Sequence, residues 1–496
     1  MADQAKTATL TSLGLTAQGG REAEIAGLSV DSRLVKPGHL FAALPGTQVH
    51  GGEFIQYALR MDAAAILTDA EGARIAAAEL DAADVALIVA EDPRQALAGA
   101  AALWFGAQPA TMVAVTGTNG KTSVATFTRQ IWELLGHHAA NLGTTGIEGA
   151  YTAPLNHTTP EPITLHRLLA DMAKSGVTHA AMEASSHGLA QRRLDGVELK
   201  AAAFTNFTQD HLDYHADFDE YFTAKAGLFN RVLPVEGTAV INLDDPRGAD
   251  MARIASVRGQ VVLGVGQSAE ADLRILGQRY DATGQDLRFD WGGKGHQARL
   301  NLIGGFQAQN VLAAAALAIA CGEVPEQVFD TLPDLSTVRG RMQLAATRDN
   351  GAAVFVDYAH TPDALKTALK ALRPHVLGRL VVVFGAGGDR DQGKRPLMGQ
   401  AAAENADVAF VTDDNPRSED PTVIRAAILQ ACPEAVEVGD RAEAILRGVD
   451  ALGPGDALLI AGKGHETGQT VGDDVYPFDD VEQASVAVAA LDGRVT

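Results

Sequence analysis

Ten short apolar runs, many closed by Gly, Asp or Thr and followed by Ala- and Leu-rich periodic segments, constrain this chain more than any other feature. They lie at 63–67, 85–89, 112–115, 180–182, 201–204, 239–241, 353–356, 380–384, 408–411 and 457–460. A continuous apolar strand, rather than an alternating one, implies a parallel sheet covered by helices on both faces. The rhythm of strand, loop and helix therefore predicts an α/β protein. A more polar, β-rich stretch at about 258–300 interrupts it.

The 496 residues exceed what one core holds at roughly 100–200 residues per domain. Three blocks are expected: 1–109, with Asp31-Ser-Arg33 and a helical stretch at 96–105; 110–338, opened by a glycine-rich loop; and 339–496, with at least three strand–loop units. Cys321 and Cys432 are too few for a disulfide framework and read as small buried residues at helix ends. The first sixteen residues lack a charged start followed by an apolar run, so no signal peptide is expected. The longest apolar stretch, 311–321, is short of the roughly 20 residues a membrane span needs. A cytoplasmic protein without membrane insertion is predicted, and a monomer is assumed. A net charge of −22 argues against nucleic acid as a partner.

Thr116-Gly-Thr-Asn-Gly-Lys-Thr122 stands between the apolar run at 112–115 and a helical pattern at 124–135. Glycines there let backbone amides converge on phosphate oxygens. Lys121 adds positive charge at the β- and γ-phosphates, and the Thr122 hydroxyl can join a Mg²⁺ shell. The helix start contributes partial positive charge. Val115 replaces the first glycine of the common pattern, so the loop is a shortened variant. It predicts nucleoside triphosphate binding and leaves the fate of the phosphate open.

Two later segments fall at strand ends, where open α/β sheets bind ligands. Glu183 follows the run at 180–182, and Asn206, Asp210 and His211 follow the run at 201–204. A carboxylate and a histidine beside a triphosphate read as metal holders. Ser185 and Ser186 lack the leading glycine of a hydrolase nucleophile elbow. By pattern alone Lys225, in a helical segment, is a surface lysine. Four strand ends in the last block carry Gly or charge: Asp357-Tyr-Ala-His-Thr-Pro362, Gly385-Ala-Gly-Gly-Asp-Arg390, Asp413-Asp-Asn-Pro-Arg417 and Gly462-Lys-Gly-His-Glu466. Together they look like the rim of a binding site. Arg390 and Arg417 are forks suited to carboxylates, and Glu466 could receive an ammonium.

These segments, with Thr158-Thr-Pro160, Met182-Glu-Ala-Ser-Ser-His-Gly188 and Asp210-His-Leu-Asp-Tyr-His215, resemble the Mur ligase family over essentially the whole chain. The resemblance implies a smaller N-terminal α/β domain for the UDP end, a central P-loop-type parallel-sheet ATPase domain and a C-terminal Rossmann-like domain. It implies an ATP-dependent carbon–nitrogen ligase of peptidoglycan precursor synthesis, adding meso-diaminopimelate to the D-glutamate of UDP-N-acetylmuramoyl-L-alanyl-D-glutamate through an acyl phosphate. L-Lysine is the alternative added amino acid. A P-loop kinase or GTPase would not need the third block, and a nucleotide sensor would release no phosphate.

Residue by residue, the resemblance implies that Lys121, Glu183, His211 and Lys225 are catalytic. Thr122, Glu183, His211 and Lys225, the last as a carbamate derived from CO₂, would hold Mg²⁺. ATP would meet Thr116, Gly117, Thr118, Asn119, Gly120, Lys121 and Thr122, with Asn310, Arg341 and Asp357, Lys394 assisting. The UDP precursor would meet Val30, Ser32, Thr47, Gln48 and Val49 in the first block. In the second it would meet His157, Thr158, Thr159, Ser185, Gln191 and Arg193. Diaminopimelate would meet Arg390, Asp414, Asn415, Pro416, Arg417, Gly462 and Glu466. His157 stands where some members have Asn, Gln307 where Asn is often seen, and Gln343 where Glu is common.

Overall fold

The computed structural model describes residues 6–46, 49–208 and 217–493. Of the sequence-marked residues, Thr47, Gln48 and the motif at 210–215, which includes Asp210 and His211, lie outside them. The chain divides into two compact units. The first comprises 1–271 with 313–328, and the second 272–312 with 329–496. One boundary, between 312 and 313, falls within the long helix Phe306–Ala320.

The first unit holds two sheets. The N-terminal one is parallel, in the order Gly27–Ser29, His39–Ala42, Ala65–Thr68, Ala86–Val89. Leu40, Leu67 and Ile88 meet Leu97 and Trp104 of the helix Pro93–Phe105 on one face. Phe41 and Ile66 pack with Ile55 and Ala58 on the other. The central sheet runs Val261–Gly266, Thr238–Asn242, Leu199–Phe204, Thr111–Thr116, His179–Glu183, Ala139–Gly143, all parallel, with Gly146–Gly149 antiparallel at the edge. All six residues of Thr111–Thr116 are buried, as expected for a strand covered on both faces.

Thr111–Thr116 lies between two strands that follow it in the chain. One crossover leaves it for Ala139–Gly143, and the chain later passes from His179–Glu183 to its other side at Leu199–Phe204. Its carboxyl end is thus a topological switch point, where crossovers diverge and a ligand can enter. Helix Lys121–Leu134 starts there.

The second unit contains an antiparallel set, Leu273–Asp281, Gly284–Trp291 and Lys294–Leu300, which is the β-rich stretch read from sequence. Its main sheet runs Gln343–Thr347, Ala353–Asp357, Ala457–Ala461, Leu380–Phe384, Val408–Val411, Val436–Glu437, parallel except for the first strand. Cores lie on both faces, one around Phe384 and Met398, the other around Val381, Ile445 and Ile460. All ten apolar runs are strands. Cys432 is buried as expected, whereas Cys321 is only half-buried, one residue beyond its helix. Burial still pushes its thiol up to about 12. No helix among the described residues is long and apolar enough to cross a membrane.

Candidate active site

The phosphate loop is closed on itself and on the next strand end. Gly117 has φ +148°, and a Cβ there would stand 1.9 Å from Thr205 Oγ1, so only glycine lets the loop lie this close. The Asn119 amide donates to Asn206 Oδ1 (2.8 Å), and Thr205 Oγ1 and Asn206 Nδ2 donate to the Asn119 carbonyl at 2.6 and 3.1 Å. Thr118 Oγ1 meets the Tyr221 hydroxyl at 3.2 Å. Lys121 Nζ donates to the carbonyls of Gly117 (3.0 Å) and Thr118 (2.9 Å), which holds the ammonium on the loop.

Glu183 ends its strand 1% exposed, and neutral donors hold it. Thr122 Oγ1 donates to Oε1 at 2.9 Å, the Thr144 amide to the same oxygen at 2.8 Å, and Thr144 Oγ1 to Oε2 at 3.2 Å. The strand end of Gly143 makes room: a Cβ there would stand 1.9 Å from Oε1. A buried carboxylate beside a buried hydroxyl is a hard oxygen pair, the donor chemistry that suits Mg²⁺.

From Glu183 the network continues into the residues marked for the precursor. Thr144 Oγ1 lies 3.2 Å from Thr158 Oγ1. Thr159 Oγ1 donates to the Glu183 carbonyl (2.9 Å) and accepts from the Ser185 amide (3.1 Å). Arg193 Nη1 donates to the Thr159 carbonyl (2.6 Å), and its Nη2 to Gln191 Oε1 (2.8 Å). His157 is exposed on the same loop. Val30, Ser32 and Val49 stand past the ends of N-terminal strands, Val30 37% and Val49 52% exposed. The structure thus joins Thr122, Glu183, Thr158, Thr159, Ser185, Gln191 and Arg193 in one network.

Lys225 corrects the surface reading. It is 1% exposed, on helix Phe218–Gly227, with Nζ donating to the Gly117 carbonyl (2.8 Å) and lying 4.5 Å from the Tyr221 ring centre. A helical pattern alone cannot show that a lysine points into a loop more than a hundred residues away. Thr144, Thr205 and Tyr221 were not singled out from sequence. Their position after or beside a strand end was the signal available for the two threonines.

In the second unit, the four glycine- and charge-bearing loops all leave carboxyl ends of parallel strands. Asn415 is the hub. Its Oδ1 accepts from Lys463 Nζ and the Thr470 amide, both at 2.9 Å, and its Nδ2 donates to Glu466 Oε2 at 3.0 Å. Lys463 is fully buried, and burial lowers its pKa. Gly462 lies against Asp414, whose Oδ2 is 2.4 Å from where a Cβ would stand. Arg417 takes φ +51°; its amide donates to Thr470 O (3.1 Å) and its Nη1 to Gly388 O (2.8 Å). Pro416 is buried behind it, and Arg390 is exposed. Beneath them, Arg441 and Asp480 form a wholly buried pair through two bonds of 2.8 and 2.7 Å.

The nucleotide-marked residues of this unit lie elsewhere within it. Arg341 stacks on Tyr358 at 4.8 Å. Asp357 accepts from the amides of Met342 (2.7 Å) and Ala359 (2.8 Å), and burial raises its pKa while Arg341 opposes that rise. Lys394 Nζ donates to His360 O (2.9 Å), and burial lowers its pKa. Asn310 Nδ2 donates to Gln307 Oε1 at 3.0 Å, so the glutamine that departs from the family pattern buttresses it.

Residues 24–104 match the Mur ligase family catalytic domain, 115–318 the Mur ligase middle domain and 340–464 the Mur ligase glutamate ligase domain. UDP-N-acetylmuramoyl-L-alanyl-D-glutamate--2,6-diaminopimelate ligase of Caulobacter vibrioides is 50% identical, covering 94% of this chain and 96% of its own. The protein of that name from Bradyrhizobium diazoefficiens is 50% identical over 94% and 95%. A solved structure of a ligase of the same name is 35% identical, with TM-score 0.74 over 98% of this chain and 99% of that one. The phosphate loop, the strand-end carboxylate and these matches define the class: ATP-dependent carbon–nitrogen ligases built from three α/β domains. Within that class, the chain belongs to the Mur ligase family.

Proposed function

We propose that this protein adds meso-diaminopimelate to the D-glutamate γ-carboxylate of UDP-N-acetylmuramoyl-L-alanyl-D-glutamate, with ATP cleaved to ADP and phosphate, in peptidoglycan precursor synthesis. The carrying observation is the hydrogen-bonded path from Thr122 of the phosphate loop through Glu183 to Thr158, Thr159 and Arg193. It supports a reading in which the phosphate and the precursor meet at one network. The names of the half-identical relatives support the same substrates.

The γ-phosphoryl passes to the precursor carboxylate, forming a carboxyl–phosphate bond and releasing ADP. The amine of diaminopimelate then attacks the acyl carbon, and phosphate leaves from the tetrahedral intermediate. Such transfers depend on positioning and charge neutralisation more than on covalent help. Lys121 and the loop amides hold the phosphates, and Arg193 with Thr158, Thr159, Ser185 and Gln191 holds the precursor. Mg²⁺ would be held by Thr122 and Glu183, with His211 and a carbamylated Lys225, and supplies charge balance to the phosphates. The burial of Lys225 against the phosphate loop, with Nζ on the Gly117 carbonyl, supports a place for it beside the metal and the phosphates. Asn310, Arg341 and Asp357 would hold the nucleotide. Val30, Ser32, Thr47, Gln48, Val49 and His157 would complete the precursor site.

Arg417, Arg390, Asp414, Asn415, Pro416, Gly462 and Glu466 form the amino-acid site in this reading, with domains at 1–109, 110–338 and 339–496. The protein acts as a cytoplasmic monomer. Phosphate release with precursor and ATP, compared among meso-diaminopimelate, L-lysine and no amino acid, tests the proposal. Release with diaminopimelate well above the other two is expected. Equal release in all three would remove it. For Lys225, a carbamate carbon resonance after incubation with ¹³C-bicarbonate is expected in the native protein and absent in Lys225→Arg.

A further inference from the structure

At the opposite end of the strand that carries Glu183, three side chains with no part in the reaction converge. His179 opens that strand, His137 follows helix Lys121–Leu134, and Glu323 follows helix Phe306–Ala320. One donor atom from each lies within 4.8 Å of the other two. His137 Nε2 is 2.9 Å from Glu323 Oε1, and the two imidazole centres are 4.1 Å apart. At about 3.3 Å per residue, the cluster is roughly 13 Å from Glu183.

The donors are held in place by backbone and packing. The His137 amide donates to Trp132 O (2.9 Å), and the Glu323 amide to Ala318 O (3.2 Å), so both residues are fixed to the helices they follow. Trp132 packs on the His179 ring at 5.0 Å. Thr178 Oγ1 lies 2.8 Å from His179 Nδ1, which orients the ring and leaves Nε2 to act as a ligand. The neighbouring cation Lys200 donates to Thr111 Oγ1 at 3.2 Å. Donors about 2.0–2.2 Å from a tetrahedral ion stand roughly 3.3–3.5 Å apart. The histidine–carboxylate pair would open by a few tenths of an ångström and no pair would need to close by more than about 1.5 Å, both within side-chain reach.

We propose that His137, His179 and Glu323 form a binding site for a divalent transition metal of the Zn²⁺ type, separate from the phosphate-loop centre. Two imidazoles and one carboxylate suit Zn²⁺, Co²⁺ or Ni²⁺ and not Mg²⁺ or Ca²⁺, which prefer all-oxygen shells. Three ligands leave a fourth position for water. The ion ties the ends of two helices to the start of a central strand, so its role is to stabilise the first unit.

The test is calorimetric titration of the full-length, metal-stripped protein with Zn²⁺, with Mg²⁺ in excess to compete for the oxygen-rich site. Saturable binding of one Zn²⁺ per chain is expected, with a rise in melting temperature. His179→Ala and Glu323→Gln should each weaken binding by about tenfold or more and abolish that rise, while melting like the native protein without Zn²⁺. Cobalt should give visible bands of a four-coordinate ion in the native protein and lose them in His179→Ala. Phosphate release should be unchanged in both variants. Absence of saturable Zn²⁺ binding would overturn the proposal, as would binding that survives both substitutions undiminished.

Discussion

Replacing Arg417 by alanine tests the proposed choice of amino acid. Diaminopimelate carries a second carboxylate that lysine lacks, and a guanidinium can pair with it through two parallel bonds. Arg417 is pre-set for this: its backbone is tied to Thr470 O and to the Gly472 amide, and its Nη1 is anchored on Gly388 O. Hydrogen bonds to charged groups contribute about 1.5–3 kcal/mol each. Two of them in a half-buried site suggest a loss of about 3–4 kcal/mol, or roughly 10²–10³-fold in kcat/KM for diaminopimelate. With lysine the same substitution removes a guanidinium that had no carboxylate to meet, so its kcat/KM should change little.

The preference should therefore shrink by about the same factor. Alanine keeps the positive φ of 51° and the backbone bonds, so conformational relief does not confuse the result. Arg417→Lys retains charge without the fork and should fall between. Steady-state phosphate release at saturating ATP and precursor, with each amino acid varied, gives the two values. An unchanged ratio between the amino acids in Arg417→Ala would refute the reasoning, whatever happened to either rate alone.

Glu183→Gln keeps the shape of the buried hub but removes its charge; kcat should fall about 10²–10³-fold while the melting temperature stays close to native, and a native Mg²⁺ dependence would contradict the role given to this carboxylate. Asp480→Asn leaves Arg441 buried without its anion, a loss of about 3–5 kcal/mol. Denaturant titration should show it, and a change under 1 kcal/mol (about the scatter of surface substitutions) would mean that the pair is not what seats the loop at 461–466. His166 is 2% exposed, and burial depresses its pKa from 6.5 to about 4. Between those values the unfolded chain binds a proton that the folded one refuses, so this contribution is complete above 6.5, declines as pH falls and is gone below about 4. His166→Gln should flatten that acid limb by up to about 3 kcal/mol, and an identical slope in stability measurements from pH 7 to 4 would exclude His166 as its source.

The sheet strands were legible because parallel strands buried on both faces must be apolar throughout, as Thr111–Thr116 and Leu380–Phe384 are. Ala139–Gly143 escaped the same reading. It is fully buried, but Asn141 breaks its apolar run, and Arg129 Nε satisfies that amide at 2.6 Å. The phosphate loop was legible because glycine spacing and a following helix are local properties. The environment of Glu183 was not, because Thr122 and Thr144 reach it from other strand ends, 61 and 39 residues away. Lys225 was the sharpest misreading by pattern, since its partner on the loop lies 108 residues off in sequence. The role proposed for it rests on family likeness, and its burial is seen in the fold.

A chain of net charge −22 that handles ATP and a UDP-linked carboxylate must set its cations locally, because the overall field repels both substrates. In the proposed site Lys121 and Arg193 would do this in the first unit, and backbone carbonyls help to anchor both. Arg417 is anchored in the same way in the second. A carbonyl fixes the position of a cation without cancelling its charge, whereas an acidic partner would fix it and neutralise it. Arg441, paired with Asp480 and wholly buried, shows the other arrangement, suited to holding structure and not to meeting an anion. A wholly buried ion pair such as Arg441–Asp480 is thus already neutralised by the fold, whereas Arg417, held on the Gly388 carbonyl, can keep its charge for the carboxylate proposed to bind it.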